Sequence, residues 1–168
     1  MKILVTGATG FIGNHLVKKL IKSGRQVWCL VRPTSDKDKV KKLRVLGAKI
    51  VVGDLKKVKK IKLPKKIDWV FHLAALVDTT NSFSYFTLYQ ENVKTTQDLA
   101  EFYLGKIERF VFLSSMAAIG IRHQSRLVTE ETACHPTSNY GQSKLEAENC
   151  LLKLNQEKKL PVVILRAP

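Results

Sequence analysis

Two side chains suited to proton chemistry stand four residues apart in Tyr140-Gly141-Gln142-Ser143-Lys144. At the start of a helix that spacing puts them on one face. A tyrosine serving as acid and base near neutral pH must have its pKa brought down from about 10, at a cost of about 4 kcal/mol. A neighbouring ammonium is a suitable source of that change. A YxxxK pair alone is common, and a solvent-facing pair is its ordinary meaning. Ser115 gives the pair weight. It closes the run Phe112-Leu113-Ser114-Ser115, which reads as the carboxyl end of a strand, and open α/β sheets bind ligands in the crevice beyond such ends. A serine there can hold a substrate oxygen and donate a hydrogen bond to charge developing on it. Ser114 is the competing candidate; Ser115 is favoured.

A second constellation opens the chain. Thr6-Gly7-Ala8-Thr9-Gly10-Phe11-Ile12-Gly13 follows an apolar run and carries glycines in a GxxGxxG spacing. Glycine at the turn permits backbone angles closed to other residues. A missing side chain lets a pyrophosphate approach a helix N-terminus, where free N–H groups and the dipole favour anions. The third glycine lets the helix pack tightly on the strand. Behind the first strand of a βαβ series, this pattern reads as a dinucleotide cradle made of Gly7, Thr9, Gly10, Phe11, Ile12 and Gly13.

An NAD site usually has an acid at the end of the second strand, bonded to the ribose 2′-hydroxyl. Here Val27-Trp28-Cys29-Leu30-Val31 runs into Arg32-Pro33-Thr34-Ser35. An arginine can pair bidentately with a 2′-phosphate, with the Thr34 and Ser35 hydroxyls adding bonds. Asp36 and Asp38 come later and look like helix-start residues. The expectation is NADP, with NAD as the alternative and a plain surface arginine as the competing reading of Arg32.

The elements that must position these groups alternate along the chain. Compact apolar runs at 2–5, 27–31, 49–52, 68–73, 109–113 and 162–165 read as strands covered on both faces. Helical patterns fill 12–23, 38–46, 89–103 and 140–156, with at most a short helix in 56–66. Repeated βαβ units predict an α/β fold with a doubly wound parallel sheet. The 168 residues suffice for one domain.

Composition narrows the remaining classes. No apolar run approaches the roughly 20 residues of a membrane span. The apolar run after Lys2 stops at Thr6-Gly7, too early for a signal peptide. Cys29, Cys134 and Cys150 show no CxxC or metal-ligand spacing, so reduced thiols, no metal and a cytoplasmic location are expected. Residues 36–66 hold 13 Lys/Arg against 3 acids, which is +10 of the net +15. Without interleaved aromatics or a recognised motif, this reads as a solvated surface rather than a nucleic-acid site.

With the glycine loop and the Ser/Tyr/Lys set together, the chain resembles the extended short-chain dehydrogenase/reductase family: NAD(P)-dependent sugar epimerases, dehydratases and dihydroflavonol-reductase-like enzymes. TGATGFIG, GDL at 53–55, HLAA at 72–75, LSSMAAIG and YGQSKLEAE occur in the family's order. The resemblance implies that Asp54 bonds the adenine amino group, that Leu55 lines the adenine pocket, and that Ala74 and Ala75 let the ribose and pyrophosphate pass. It also implies that Lys144 holds the nicotinamide ribose while Tyr140 and Ser115 engage substrate. Three departures stand out. Lys94 replaces a usual glycine near Asn92, and Ile119 stands where a tyrosine is frequent. The third is that family chains are much longer, with a C-terminal portion forming one side of the substrate pocket. The expectation is one Rossmann domain over 1–168, cut off after its sixth strand and lacking the substrate domain.

The function expected is hydride exchange with a small molecule (a nucleotide sugar, ketone or aldehyde) in which Tyr140 handles the proton. A non-catalytic NAD(P)-binding sensor or scaffold is the alternative. Neither nucleic acid nor membrane is expected as a partner. A homodimer through helices 89–103 and 140–156 is carried over from the family. The polar stretch 121–139 should border the substrate, with His123 and His135 as solvated loop residues; His15 and His72 read as structural.

Overall fold

The computed structural model describes residues 1–120 and 127–168. Six strands, β1 (Lys2–Thr6), β2 (Gln26–Val31), β3 (Lys49–Val52), β4 (Trp69–His72), β5 (Arg109–Ser115) and β6 (Val162–Ala167), form one sheet in the order β3-β2-β1-β4-β5-β6. Every neighbouring pair is parallel. Alternate residues of a strand face opposite sides, so β1 feeds two cores. Ile3 and Val5 pack with Cys29 and Val31 against Val17 and Leu43, which belong to α1 (Phe11–Lys22) and α2 (Lys37–Val45). Leu4 joins Val70, Phe110 and Phe112 on the other face. That face is covered by Leu99 and Tyr103 of α4 (Thr95–Tyr103) and by Ala147 and Leu151 of α5 (Asn139–Lys158). Burial on both faces is why these strands read as continuous apolar runs.

The element boundaries differ from expectation chiefly ahead of residue 89 and at the carboxyl ends of β5 and β6. The helix expected over 89–103 begins earlier, with a short turn α3 (Tyr85–Leu88) whose start is set by Ser84 accepting a hydrogen bond from the Thr87 N–H. It then passes through a π-helical segment, Tyr89–Lys94, before α4. β5 runs two residues beyond 113, so that Ser114 and Ser115 pair with Arg166 and Ala167 of β6. In the lysine-dense stretch a 3₁₀ helix, Leu55–Lys60, forms behind Asp54, whose carboxylate accepts from the Lys56 N–H. The carboxyl ends of β1, β4 and β5 lie side by side, with Thr6 paired to His72 and His72 to Phe112. The strand order reverses between β1 and β4, and there the crevice opens.

Candidate active site

Close packing shapes the glycine loop. Gly7 turns the chain at φ +69°, and a Cβ on it would lie 2.7 Å from the Ala74 nitrogen. A Cβ on Gly13 would lie 2.2 Å from the Gly7 carbonyl oxygen. α1 starts behind Gly10 with no side-chain cap and no acid in its first turn. Its N–H groups and positive dipole end are therefore open to an external anion. The loop borders a cavity of about 1020 Å³. Among the residues singled out from sequence, Gly7, Thr9, Gly10, Phe11, Ile12, Gly13, Arg32, Asp54, Leu55, Ala74, Ala75, Ser115, Tyr140 and Lys144 line it.

At the end of β2 the exposed Arg32 and the half-buried Ser35 reach this cavity. Thr34 does not; with Pro33 it lines a neighbouring groove. Asp36 caps α2 instead of facing the cavity, accepting from the Asp38 and Lys39 N–H groups at 2.9 and 3.0 Å. The Lys39 N–H chiefly holds its carboxyl below the usual range.

The two serines at the end of β5 divide their tasks. Ser114 is buried and donates to Glu148. Ser115 lies on the cavity side, its hydroxyl accepting from the Ala117 N–H at 3.1 Å. Tyr140 follows Ser138, whose side chain caps α5 through the Gly141 N–H at 3.0 Å. Lys144, one turn on, is only 2% exposed. Its amine donates to the Leu113 carbonyl at 2.6 Å and lies 4.1 Å from the centre of the Phe112 ring.

The electrostatics correct one expectation. Burial raises the Tyr140 phenol above its ordinary value, the opposite of the lowering expected from Lys144. Among the described residues no hydrogen bond joins the two side chains, because the amine is turned to Leu113. Burial also pushes the Lys144 amine down to about 7, with the Glu148 carboxylate opposing it. A buried amine near half protonation pulls on a phenol less than a full ammonium would.

Behind the cavity runs a buried polar chain. The Ala74 N–H donates to the Thr6 hydroxyl at 3.1 Å, and Thr6 meets His72 Nδ1 at 2.7 Å. His72 Nε2 meets the Thr96 hydroxyl at 2.8 Å, and Thr96 donates to the Asn92 carbonyl at 2.6 Å. Since Thr96 spends its proton on that carbonyl, the neutral Nε2–H tautomer satisfies every member. Burial, with the nearby Lys144 charge, pushes His72 down to about 3. The Asn92 side chain holds both polar groups of Leu76, at 2.7 and 3.0 Å, and reaches Ser143 at 3.1 Å. Lys94 leaves Asn92 undisturbed by turning outward to Asp98 at 2.6 Å. Ile119 is buried, so its side chain serves the core.

Two cavity residues had no sequence signal strong enough to find them. Asp78 folds its own loop, accepting from the Thr80, Ser82 and Phe83 N–H groups, and those bonds lower its carboxyl. A turn-forming Asp-Thr-Thr-Asn-Ser run is the trace it leaves. Glu91 lines the cavity and pairs with Lys56. His15 is exposed and bonds the Phe11 carbonyl, and His135 is an exposed loop residue. His123 lies outside the described residues. All 13 basic residues of the 36–66 segment are exposed, and no helix among the described residues is long and apolar enough to cross a membrane.

Comparison with known proteins points the same way. The chain is 35% identical to a UDP-glucose 4-epimerase of Vibrio cholerae over 98% of its own length and 50% of that protein's. It is 30% identical to a dTDP-D-glucose 4,6-dehydratase of Dictyostelium discoideum, covering 99% of this chain and 43% of the other. Among solved structures it superposes on the UDP-glucuronic acid 4-epimerase of Bacillus cereus, in complex with UDP-glucuronic acid and NAD. The TM-score there is 0.80 at 31% identity, covering 99% of this chain and 56% of that one. The chain thus spans about half the length of the relatives it matches. Residues 3–168 match the NAD dependent epimerase/dehydratase family, and the chain belongs to that family.

Proposed function

We propose that this chain holds NADP in the crevice between β1 and β4 and presents it to a nucleotide sugar, ketone or aldehyde. One observation carries the reading: the glycine loop and the Ser115, Tyr140 and Lys144 side chains border a single cavity. The residues present fit such a cofactor. Gly7 and Gly13 let the loop pack closely against its own backbone, and the uncapped start of α1 suits a pyrophosphate. When bound, the nicotinamide supplies hydride exchange with a substrate carbon bearing a hydroxyl or carbonyl. Tyr140 passes the proton to or from the substrate oxygen, and Ser115 holds that oxygen. With one proton on the Leu113 carbonyl, a protonated Lys144 keeps two donors for the nicotinamide ribose. Arg32, at a strand end where the acids are occupied elsewhere, favours the 2′-phosphate. If the substrate keeps its redox level, the same groups serve epimerisation or dehydration through a transient keto form. The helices containing 89–103 and 139–158 would pair two copies; exposed Phe86 and Leu152 on α3 and α5 support that.

A side-by-side titration with NADPH and NADH, followed by nicotinamide fluorescence, tests the cofactor reading. Tighter NADPH binding that is lost in Arg32→Ala supports it. Tighter NADH binding sinks the Arg32 argument and leaves the family chemistry standing. The raised Tyr140 and the turned Lys144 favour a second reading, a cofactor-binding domain without turnover. Cofactor binding without conversion of any offered nucleotide sugar, ketone or aldehyde would select it.

A further inference from the structure

Beneath the Ser115, Tyr140 and Lys144 cluster lies a charged group that the proposed chemistry leaves unused. Glu148 sits on α5 one turn beyond Lys144 and is 1% exposed. A carboxylate at that depth stays ionised only when its oxygens are well engaged. Arg166 of β6 donates from Nε to both oxygens at 3.0 and 3.2 Å, and from Nη2 to Oε2 at 2.6 Å. Ser114 of β5 adds its hydroxyl to Oε1. Glu148 thereby ties α5 to the strand pair at the point where Ser114 and Arg166 are in register. Ser114 in turn stands between Leu113, whose carbonyl holds the Lys144 amine, and Ser115.

We propose that Glu148 is a positioning residue: its carboxylate is the buried counter-charge that keeps Lys144 protonated, and its bond to Ser114 fixes the strand end that presents Ser115. The proposal rests on the reading of Lys144 as the working cation of the site. The amine is almost wholly buried, with an aromatic ring on one side and a neutral carbonyl as its hydrogen-bond partner, a setting that favours the uncharged form. Among the described residues the titratable groups around it are few. Tyr140 and Glu148 share α5, His72 stands neutral on β4, and Arg166 comes from β6 with Cys134 beside it. Asp78 lines the same cavity, with its oxygens on its own loop. Burial drives the amine down and, among the described residues, Glu148 alone resists, which leaves it at about 7. Arg166 draws on the same carboxylate, so the two partners of Glu148 compete for its charge.

That competition separates a charge-setting role from plain scaffolding. Glu148→Gln removes the anion and must lower the Lys144 midpoint; Arg166→Met frees the anion and must raise it. The experiment is a ¹³C NMR pH titration of lysine Cε in the cofactor-free chain. The Lys144 signal is shifted by the Phe112 ring current and assigned by its loss in Lys144→Met. In Glu148→Gln the midpoint falls by about one pH unit or more, a tenfold loss in proton affinity. Glu148→Asp, which keeps the charge, recovers most of it, and in Arg166→Met the midpoint rises. An unchanged midpoint in folded Glu148→Gln, or shifts of the same sign in both variants, overturns the proposal. If Glu148→Gln does not fold, Arg166→Met decides: a rise supports it and anything else refutes it. Because no cofactor is added, these outcomes stand apart from the NADPH titration, whose failure would leave them unchanged.

Discussion

Tyr140 lines the cavity and His72 lies in the polar chain behind it, and substituting each should show in a different measurement. Tyr140→Phe removes the oxygen that would carry the proton while keeping the ring that packs at the start of α5. Turnover should fall by roughly 10²–10⁴-fold, with the NADPH dissociation constant nearly unchanged. A fall in both together would mean that Tyr140 serves binding rather than proton transfer. His72 touches only protein. His72→Leu leaves the Thr6 hydroxyl and the Thr96 acceptor without their partner. Stability measured by urea unfolding should drop by roughly 2–4 kcal/mol. The thirteen basic residues of 36–66 are all exposed, and substituting any one of them far from Arg32 should change stability little.

At the scale of elements, one tight constraint is the contact between the β1–α1 turn and the first turn of α1. A methyl on Gly13 would overlap the Gly7 carbonyl, which is backbone and cannot rotate away. Gly13→Ala must therefore open the turn. NADPH affinity should fall more than tenfold and the melting temperature should drop, read by fluorescence titration and by circular dichroism. Preserved affinity would show that the turn has slack the distances do not suggest. The π-helical segment Tyr89–Lys94 is a second device of this kind. It carries Asn92, which holds both polar groups of Leu76 and also reaches Ser143 on α5. One side chain thus couples the loop beyond β4 to the helix that carries Tyr140 and Lys144.

For the whole molecule, the buried bases His72 and Lys144 set how stability follows pH. His72 titrates near 3 in the folded chain and near 6.5 when unfolded. Its contribution is therefore complete above 6.5 and is lost as pH falls toward 3, at up to about 1.4 kcal/mol per pH unit. Lys144 titrates near 7 when folded and near 10.5 when unfolded. The unfolded chain takes up that proton first, so stability also falls as pH drops from about 10 to 7. Urea unfolding at pH 5, 7 and 9 should show the highest midpoint at pH 9. His72→Leu should flatten the acid limb and Lys144→Met the alkaline one. A maximum at pH 5 would contradict both assignments.

Much of this was already legible in the order of residues. Strands buried on both faces must be apolar throughout, so the runs around Val5, Val31, Val70 and Phe112 announced a parallel sheet. A close backbone approach admits only glycine, so Gly7 and Gly13 announced the crevice. The helix start at Ser84 and the two-residue extension of β5 were missed, because a cap and a strand-pair register depend on which neighbours arrive. Sequence favoured Ser115 with Ser114 as its rival, and suggested that Lys144 would lower Tyr140. Only the tertiary structure turned Ser114 to Glu148, set Ser115 on the cavity, buried Lys144 against Leu113 and Phe112, and raised Tyr140. The physical reason is one of range. Backbone preference and hydrophobic period are written in adjacent residues, whereas desolvation and charge pairing depend on side chains brought together from distant parts of the chain.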